Sequence, residues 1–354
     1  MIPALQQYWF LLGKKVNDDS FAEGMTSIEM TADGSTIFAS SPFENSSAGG
    51  FRVLGYNSGS ITSIYSYAHP TSGDMFGLHI KASRDGNVIL VVDKFSNIYI
   101  WRKDGSTYSV STESITSSGL IKEPAIFKSG SLYYIASKVG NDVVFYSYNY
   151  GTDTLNPTPI TVATLPASTQ MGVSCSYDGG DTVAIFDRDS NTIQTYSFNG
   201  ATFDYLSEII PSVGNGIYPD YSVSDGSSSS LFVSDDGDYV SFVTGATGSA
   251  GYSVVASKSG SSWTEVHTAL FGEKRICYTS SGDRVFENIY NLTPYKIRVY
   301  ANDGFDNYPL EQELLVEGND IYIADITSNS NDTIIAYLDS KLFATQAKLY
   351  VIEL

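Results

Sequence analysis

The sequence predicts an all-β fold, a seven-bladed β-propeller, and three observations carry that reading. A short turn recurs: Asp33-Gly34, Asp85-Gly86, Ser129-Gly130, Asp178-Gly179, Asp236-Gly237 and Ser281-Gly282, with Thr327-Ser328-Asn329-Ser330 as a seventh copy that lacks glycine. The glycines Gly34, Gly86, Gly130, Gly179, Gly237 and Gly282 stand 52, 44, 49, 58 and 45 residues apart, the spacing of blades or repeat arrays. Around each turn, short apolar runs take the strand period, and no window sustains a 3.6-residue apolar period. Finally, QQYWFLL is a strand too many before the first full unit, and the last unit (DIYIADI, TIIAYL, KLYVIEL) is a strand too few. If the first strand pairs with the last unit, the ring closes and its open edges disappear. A β-sandwich with coincidental Asp-Gly turns is the competing reading, and the recurrence of the flanking runs weighs against it.

The blades are expected near 25–69, 77–116, 123–166, 171–210, 229–271, 273–317 and 319–354, the last completed by 6–13, in a single domain over 1–354. In the first unit, strands are expected near Ser27–Thr31, Thr36–Ser40, Gly50–Tyr56 and Ser60–Tyr67. Asp-Gly after an apolar run suits a tight hairpin, because glycine accepts positive φ and aspartate bonds its own backbone. In the second unit Val88, Leu90 and Val92 share a face and Ile98 and Ile100 follow. The third unit loses the aspartate, and NPTPITVATLP closes it as an edge strand, where proline is tolerated. The fourth mirrors the second, VVDKFSNIYIW against IFDRDSNTIQTY. Pro211–Ser230 reads as a long loop and not a linker, since the pattern resumes at LFVSDDGDYVSFVTG.

Composition agrees with strands. Of 354 residues, 42% are hydrophobic and only 17% charged, with 26 Tyr and 31 Gly. β-Branched and aromatic residues, which favour strands, outweigh the helix formers Lys and Glu. A net charge of −19 and a pI near 4.3 argue against nucleic-acid phosphate and anionic lipid as partners, since both need a Lys/Arg field. The two cysteines, Cys175 and Cys277, fall at comparable places in the fourth and sixth repeats, so buried free thiols are expected and a disulfide is not. The start, MIPALQQYWFLLGKKV, has no basic n-region and is broken by Gln6-Gln7, so no secretory signal is expected. No run reaches the length of a membrane span.

Within Tyr8–Asn57 stand Trp9 with Leu12-Gly13, then Thr31-Ala32-Asp33-Gly34-Ser35, then Ser41-Pro42, then Gly49-Gly50-Phe51-Arg52-Val53 and Tyr56. With Ser41-Pro42 in place of Gly-Ala-Pro, this pattern resembles the FG-GAP-type β-propellers of the integrin-α head, and looks similar in particular to a divergent branch of marine microbes and their viruses. The resemblance implies a propeller used for binding or scaffolding. Members of that family hold Ca²⁺ in loops of alternating acidic residues; the nearest match is Asp187, Asp189 and Asn191, which lacks the glycine at the sixth place. A polar hairpin tip is the alternative there, as in the second unit, where Lys94 and Phe95 stand instead. No cofactor is expected beyond this Ca²⁺ candidate.

Catalytic signatures are missing. His69, His79 and His267 lack metal-ligand spacing, no Gly-x-Ser-x-Gly elbow occurs, and no glycine-rich loop precedes a helix. The Asp-Gly turns also lack the following tryptophan of sialidase-type boxes. With 39 acidic residues, carboxylate pairs suited to a glycosidase arise by chance. The expectation is a non-enzymatic virion protein, a capsid-, vertex- or tail-associated propeller contacting other virion proteins and a host surface protein or glycan. The alternative is a cellular adhesion or recognition propeller, extracellular or at the cell surface. Tyr205, Tyr218, Tyr221 and Trp263 are the expected contact residues, each with core packing as its competing role.

Overall fold

A computed structural model describes residues 26–117, 124–165, 171–187, 192–212, 231–244, 251–271, 277–289, 296–304, 308–315, 322–340 and 347–354. Their strands form seven antiparallel sheets in chain order, here blades 1 to 7. Blade 1 is Ser27–Met30, Thr36–Ser40, Gly50–Asn57 and Ser60–Ala68; blade 2 is His79–Ala82, Val88–Val92, Asn97–Asp104 and Thr107–Thr116. Blade 3 is Ile126–Ser129, Leu132–Val139 and Asp142–Asn149, its outer position shared by Thr154–Leu155 and Ile160–Thr164 on either side of Pro157 and Pro159. Blade 4 is Met171–Cys175, Val183–Asp187, Thr192–Phe198 and Phe203–Ile209; blade 5 is Leu231–Val233, Tyr239–Thr244, Gly251–Ser259 and Ser262–Phe271. Blade 6 is Cys277–Tyr278, Arg284–Ile289, Lys296–Ala301 and Leu310–Leu315; blade 7 is Tyr322–Ser328, Ile334–Ser340 and Ala347–Glu353.

Each sheet buries both faces, which is why the second strand of blade 2, Val88–Val92, reads as an unbroken apolar run. In Val88–Val92, Ile89 and Val91 pack toward blade 1 with Phe38, Phe51 and Trp101, while Val88, Leu90 and Val92 pack toward blade 3 with Ile126, Tyr133 and Ile135. The same division repeats around the molecule, giving a separate apolar core in each of the seven seams. The seam between blades 7 and 1 holds Ile28, Met30 and Ile37 against Ala336, Leu349 and Val351, so the ring closes by packing. Tyr56 adds a hydrogen bond to Glu353 across that seam, 2.8 Å. The sequence-based expectation that 6–13 adds the fourth strand of blade 7 falls outside the described residues.

A radial sheet leaves two edges to satisfy. On the inner edge, polar side chains of one blade bond the backbone of the next. Asp325 accepts from the Ile28 N–H at 2.8 Å, Ser27 donates to the Ile80 carbonyl at 3.2 Å, and Ser174 accepts from the Val233 N–H at 3.0 Å. Buried backbone groups need such partners, which accounts for polar residues in otherwise apolar inner strands. The outer strand breaks register with its neighbour in blades 1 to 6, beside Val53, Tyr99, Val143, Thr195, Val255 and Val299. Bulges of this kind blunt an edge against pairing with other chains.

Among the described residues, one element departs from strand: Glu44–Ser47 forms a short helical turn within what reads in the sequence as a plain loop.

Candidate interaction surface

The turns from inner to second strand gather on one face of the disc, and their repeated sequence builds a repeated hydrogen-bond scheme. In blade 1 Thr31 donates its hydroxyl to Asp33 (2.7 Å) and accepts from the Thr36 N–H (3.0 Å), while Asp33 accepts from the Ser35 N–H (2.9 Å). Ser83 and Asp85 repeat this in blade 2, and Ser234 and Asp236 in blade 5. The glycine that follows sits at positive φ: 75° at Gly34, 71° at Gly86 and 80° at Gly237. In blade 7 the turn lies two residues later than the expected Thr327-Ser328-Asn329-Ser330, because Thr327 and Ser328 end the inner strand; Asp332 takes the glycine's conformation at φ 51°, its N–H bonded to the Asn329 carbonyl as Gly34 is to that of Thr31. The missing glycine of the seventh repeat is thus replaced by a residue type that tolerates the left-handed region.

The second position of the turn varies, and blade 2 places Arg84 where the other blades have Ala32, Lys128, Tyr177, Asp235, Ser280 or Ser330. Arg84 is only 6% exposed and its guanidinium reaches across the axis. Nε and Nη2 donate to Asp235 of blade 5 at 2.9 and 2.8 Å, and Nη2 also to the Ser280 hydroxyl of blade 6 at 2.8 Å. Nη1 donates to the Met30 carbonyl of blade 1 and the Ser328 carbonyl of blade 7, each at 2.8 Å. All five guanidinium N–H donors therefore have an acceptor. Asp85 serves the other side. Its carboxylate accepts from Lys128 (2.9 Å) and Tyr133 (2.7 Å) of blade 3, and its N–H donates to the Tyr177 hydroxyl of blade 4 (3.3 Å). Two adjacent residues of blade 2 thus bond to all six other blades.

The electrostatics follow from these contacts. Burial by itself would raise the Asp85 pKa, but hydrogen bonds from Ser83, Lys128, Tyr133 and the Asn87 N–H outweigh it and hold the carboxyl well below its usual range. Burial, helped by that same carboxylate, pushes Tyr133 up. Asp332 behaves oppositely: burial dominates and raises its pKa, although Ser281 donates to it through both hydroxyl (2.7 Å) and N–H (3.1 Å), and Ser328 bonds it as well. One strand position in from the turns, Lys81 is paired with Glu29. Cys175 is free there; it keeps some accessible surface but lies deep in the structure, and burial pushes its thiol up to about 12.

On the opposite face, blades 1 and 2 form a joint platform. The helical turn Glu44–Ser47 is tied to residues 69–78, with N–H bonds from Gly73 and Met75 to the Ser47 carbonyl (3.0 and 2.9 Å) and from Phe76 to Ala48 (3.1 Å). The Lys94 N–H bonds the Asp74 carbonyl at 3.2 Å, and its ammonium bonds the Gly73 carbonyl. Asp93 caps the next turn by accepting from the N–H groups of Phe95 (2.8 Å) and Asn97 (3.0 Å). Ser46, Ser47, Met75 and Ser96 all hold positive φ, 60°, 61°, 50° and 65°, a conformation that ordinary side chains adopt only when the surroundings impose it. Phe95 crowns the platform, 60% exposed, with the Lys94 ammonium 4.7 Å from its ring centroid.

The residues expected from sequence fall in different places. Tyr205, on the outer strand of blade 4, is 57% exposed with its ring edge-on to Tyr196 at 5.5 Å. Trp263, on the outer strand of blade 5, is half-buried and donates its indole N–H to Thr195 at 3.0 Å. Tyr196 belongs to the seam with blade 3 and Trp263 to the seam with blade 5, so Tyr205 and Trp263 lie on opposite faces of blade 4. Tyr218 and Tyr221 lie outside the described residues. Asp187 ends the second strand of blade 4, its backbone paired with Met171 and Thr192; Asp189 and Asn191 lie outside the described residues. Among the described residues, no group of three or more His, Cys, Asp or Glu side chains is placed to hold a metal ion. Sequence reasoning passed over Arg84, Asp235 and Asp332. The signal the sequence carries is a lone arginine at a turn position that the other repeats fill with Ala32, Lys128, Tyr177, Asp235, Ser280 or Ser330.

The class these observations define is the seven-bladed β-propeller. No family model matches the chain, and no curated protein matches it in sequence. Among solved structures it is similar to the β-propeller domain of Cps50 (Swd1) from Myceliophteria thermophila, at 8% identity and a TM-score of 0.62, covering 95% of this chain and 99% of that one. It is similar also to the WD40 repeats of RRP9, at 10% identity and a TM-score of 0.62, covering 96% and 97%. A third structure, described as a putative 6-phosphogluconolactonase from Bacteroides uniformis, aligns at 13% identity and a TM-score of 0.56, covering 82% and 85%. At these identities the likeness is one of fold.

Proposed function

We propose that the protein is a non-enzymatic interaction propeller, a rigid disc that docks a protein partner. The observation that carries this reading is the saturated axis. Among the described residues, Arg84, Asp85, Lys128 and Asp235 converge there and are bonded to one another across blades, and none of these four is held ready for a substrate. This weighs against carrying over a sugar-lactone chemistry from the lactonase-like neighbour. A disc built this way offers fixed loops on a rigid scaffold, which suits shape-complementary docking. The blade 1–2 platform, with Phe95 at its crown, is the surface we assign to it; Tyr205 on the rim is a second exposed aromatic.

At finer grain, the partner assembly is a virus particle, with the propeller as a capsid-, vertex- or tail-associated component. The FG-GAP-like pattern of Tyr8–Asn57 and the acidic, Ser/Thr/Asn/Tyr-rich composition support this. The test is a density gradient of particles from a producing culture, with the propeller followed by antibody. Co-sedimentation of the wild type, and its loss in a Phe95→Asp variant that melts normally, is the expected result. Protein that stays at the top of the gradient removes the virion reading. Surface binding abolished by a chelator would instead favour a Ca²⁺-dependent adhesion propeller.

A further inference from the structure

We propose that the Ser83-Arg84-Asp85 turn is an axial latch, which ties the other six blades to blade 2 across the axis and makes the seven blades one cooperative unit. The inference does not depend on what the disc binds. The apolar cores join each blade chiefly to its neighbours, and a chain of nearest-neighbour contacts can open locally at any seam. Arg84 is different in kind. From blade 2 it bonds blades 5, 6, 7 and 1 at once, while Asp85 holds blades 3 and 4. Only arginine can do this, because five donors in a planar fork reach a carboxylate, a hydroxyl and two carbonyls from one stem. Two of the acceptors, the Met30 and Ser328 carbonyls, sit at the turn-face ends of the inner strands of blades 1 and 7, the two blades at which the ring closes. The Asp235 carboxylate is held further by the Ser330 hydroxyl of blade 7, and Ser328 bonds Ser280 of blade 6 at 3.0 Å, so the latch tightens on the blade 5–6–7 side.

Urea unfolding and amide hydrogen exchange of the full chain test this. The wild type should unfold in a single transition. Arg84→Met, which keeps bulk and removes every donor, should split or broaden that transition. It should also speed exchange in the inner strands Ser27–Met30 and Tyr322–Ser328 by on the order of a hundredfold, with the outer strand Thr107–Thr116 little changed. Adding Asp235→Leu removes the stranded carboxylate; under the latch reading those two inner strands stay fast, because the link and the carbonyl partners are still missing. Should Arg84→Met fail to fold, Arg84→Lys supplies the answer, since it keeps the charge and loses the fork: fast inner-strand exchange supports the latch. Wild-type exchange in Arg84→Lys, a single wild-type transition in Arg84→Met, or full rescue of exchange by Asp235→Leu would each overturn it.

Discussion

Arg84 and Asp235, 151 residues apart in sequence, meet across the propeller axis through two hydrogen bonds to one carboxylate oxygen, at 2.9 and 2.8 Å. The arginine is almost fully buried and the aspartate side chain about three-quarters so, at 25% exposure. A pair like this adds little net stability over well-packed apolar residues, but removing one partner strands a charge. Asp235→Ala should therefore destabilise the fold by about 3 kcal/mol, read as a lower urea midpoint with an unchanged slope. A cost below about 0.5 kcal/mol, the level of an ordinary surface change, would mean that water replaces the carboxylate at no loss.

Asp85 makes the stability of the ring depend on acid. Its folded pKa lies below the unfolded value of about 3.9. The stability it contributes is thus fully present above that value and lost as pH falls through the folded pKa. Urea midpoints should fall steadily below about pH 4, and Asp85→Asn should flatten that slope while lowering the midpoint at neutral pH. Asp332 works in the opposite sense. Its raised pKa means that its charged form opposes folding at neutral pH, so the penalty disappears toward acid. An acid slope in Asp85→Asn equal to that of the wild type would assign the effect to other carboxylates.

The parts of this molecule that sequence discloses are the ones fixed by local rules. The Asp-Gly turns specify their own hydrogen bonds, and Val88, Leu90 and Val92 share a core because neighbouring side chains alternate across a sheet. Arg84 breaks no local rule; it reads as one more polar turn residue until seven turns are brought around an axis. The partners of Asp332 lie in blade 6 as well as its own blade, and the blade 1–2 platform depends on residues 69–78 folding back on Glu44–Ser47. Trp263 and Tyr205 look alike in sequence as aromatics in outer strands. What separates them is the face of blade 4 each one meets, which depends on strand register.

That difference between Trp263 and Tyr205 can be measured. Trp263→Phe loses the hydrogen bond to Thr195 and should cost about 1 kcal/mol. Tyr205→Ala removes a mostly exposed ring and should stay within about 0.5 kcal/mol of wild type. If Tyr205 is a contact residue, partner binding falls in Tyr205→Ala without any loss of stability. If the thermal midpoint falls as far in Tyr205→Ala as in Trp263→Phe, its ring is a packing element.

Gly49 is the hinge of the platform. It sits at φ 86°, and a Cβ there would lie 2.0 Å from the Phe76 carbonyl oxygen, a backbone atom that cannot swing aside. Gly49→Ala must push residues 69–78 away from the helical turn, on top of a left-handed conformation that costs about 1–2 kcal/mol by itself. The expected result is a loss of at least that much stability, together with faster exchange of the Met75 and Phe76 amides, which bond to Ser47 and Ala48. Unchanged protection of those two amides would show that the platform does not depend on this close approach.

The remaining prediction concerns the outer side of blade 7. Its third strand, Ala347–Glu353, has a partner on one side only among the described residues, Ile334–Ser340, whereas the third strands of blades 1 to 6 are flanked on both. Residues 6–13 are proposed to fill that place. The inner strand of blade 1 begins beside blade 7, where the Ile28 N–H bonds Asp325, and the stretch 14–26 is comparable with the connections between other blades, from 272–276 at the shortest to 210–230 at the longest. A strand arriving this way would run antiparallel to Ala347–Glu353, as every other outer strand runs to its neighbour. A variant starting at Lys14 should lose about 4 kcal/mol, from four or so edge hydrogen bonds at roughly 1 kcal/mol each, and should aggregate through the bare edge. Amides of Ala347–Glu353 should then exchange faster than those of Ile334–Ser340, which keep neighbours on both sides. If the shortened chain melts at the parent temperature and stays monomeric, blade 7 needs no fourth strand, and the side-chain seam of Ile28, Met30 and Ile37 against Ala336, Leu349 and Val351 is enough to close the ring.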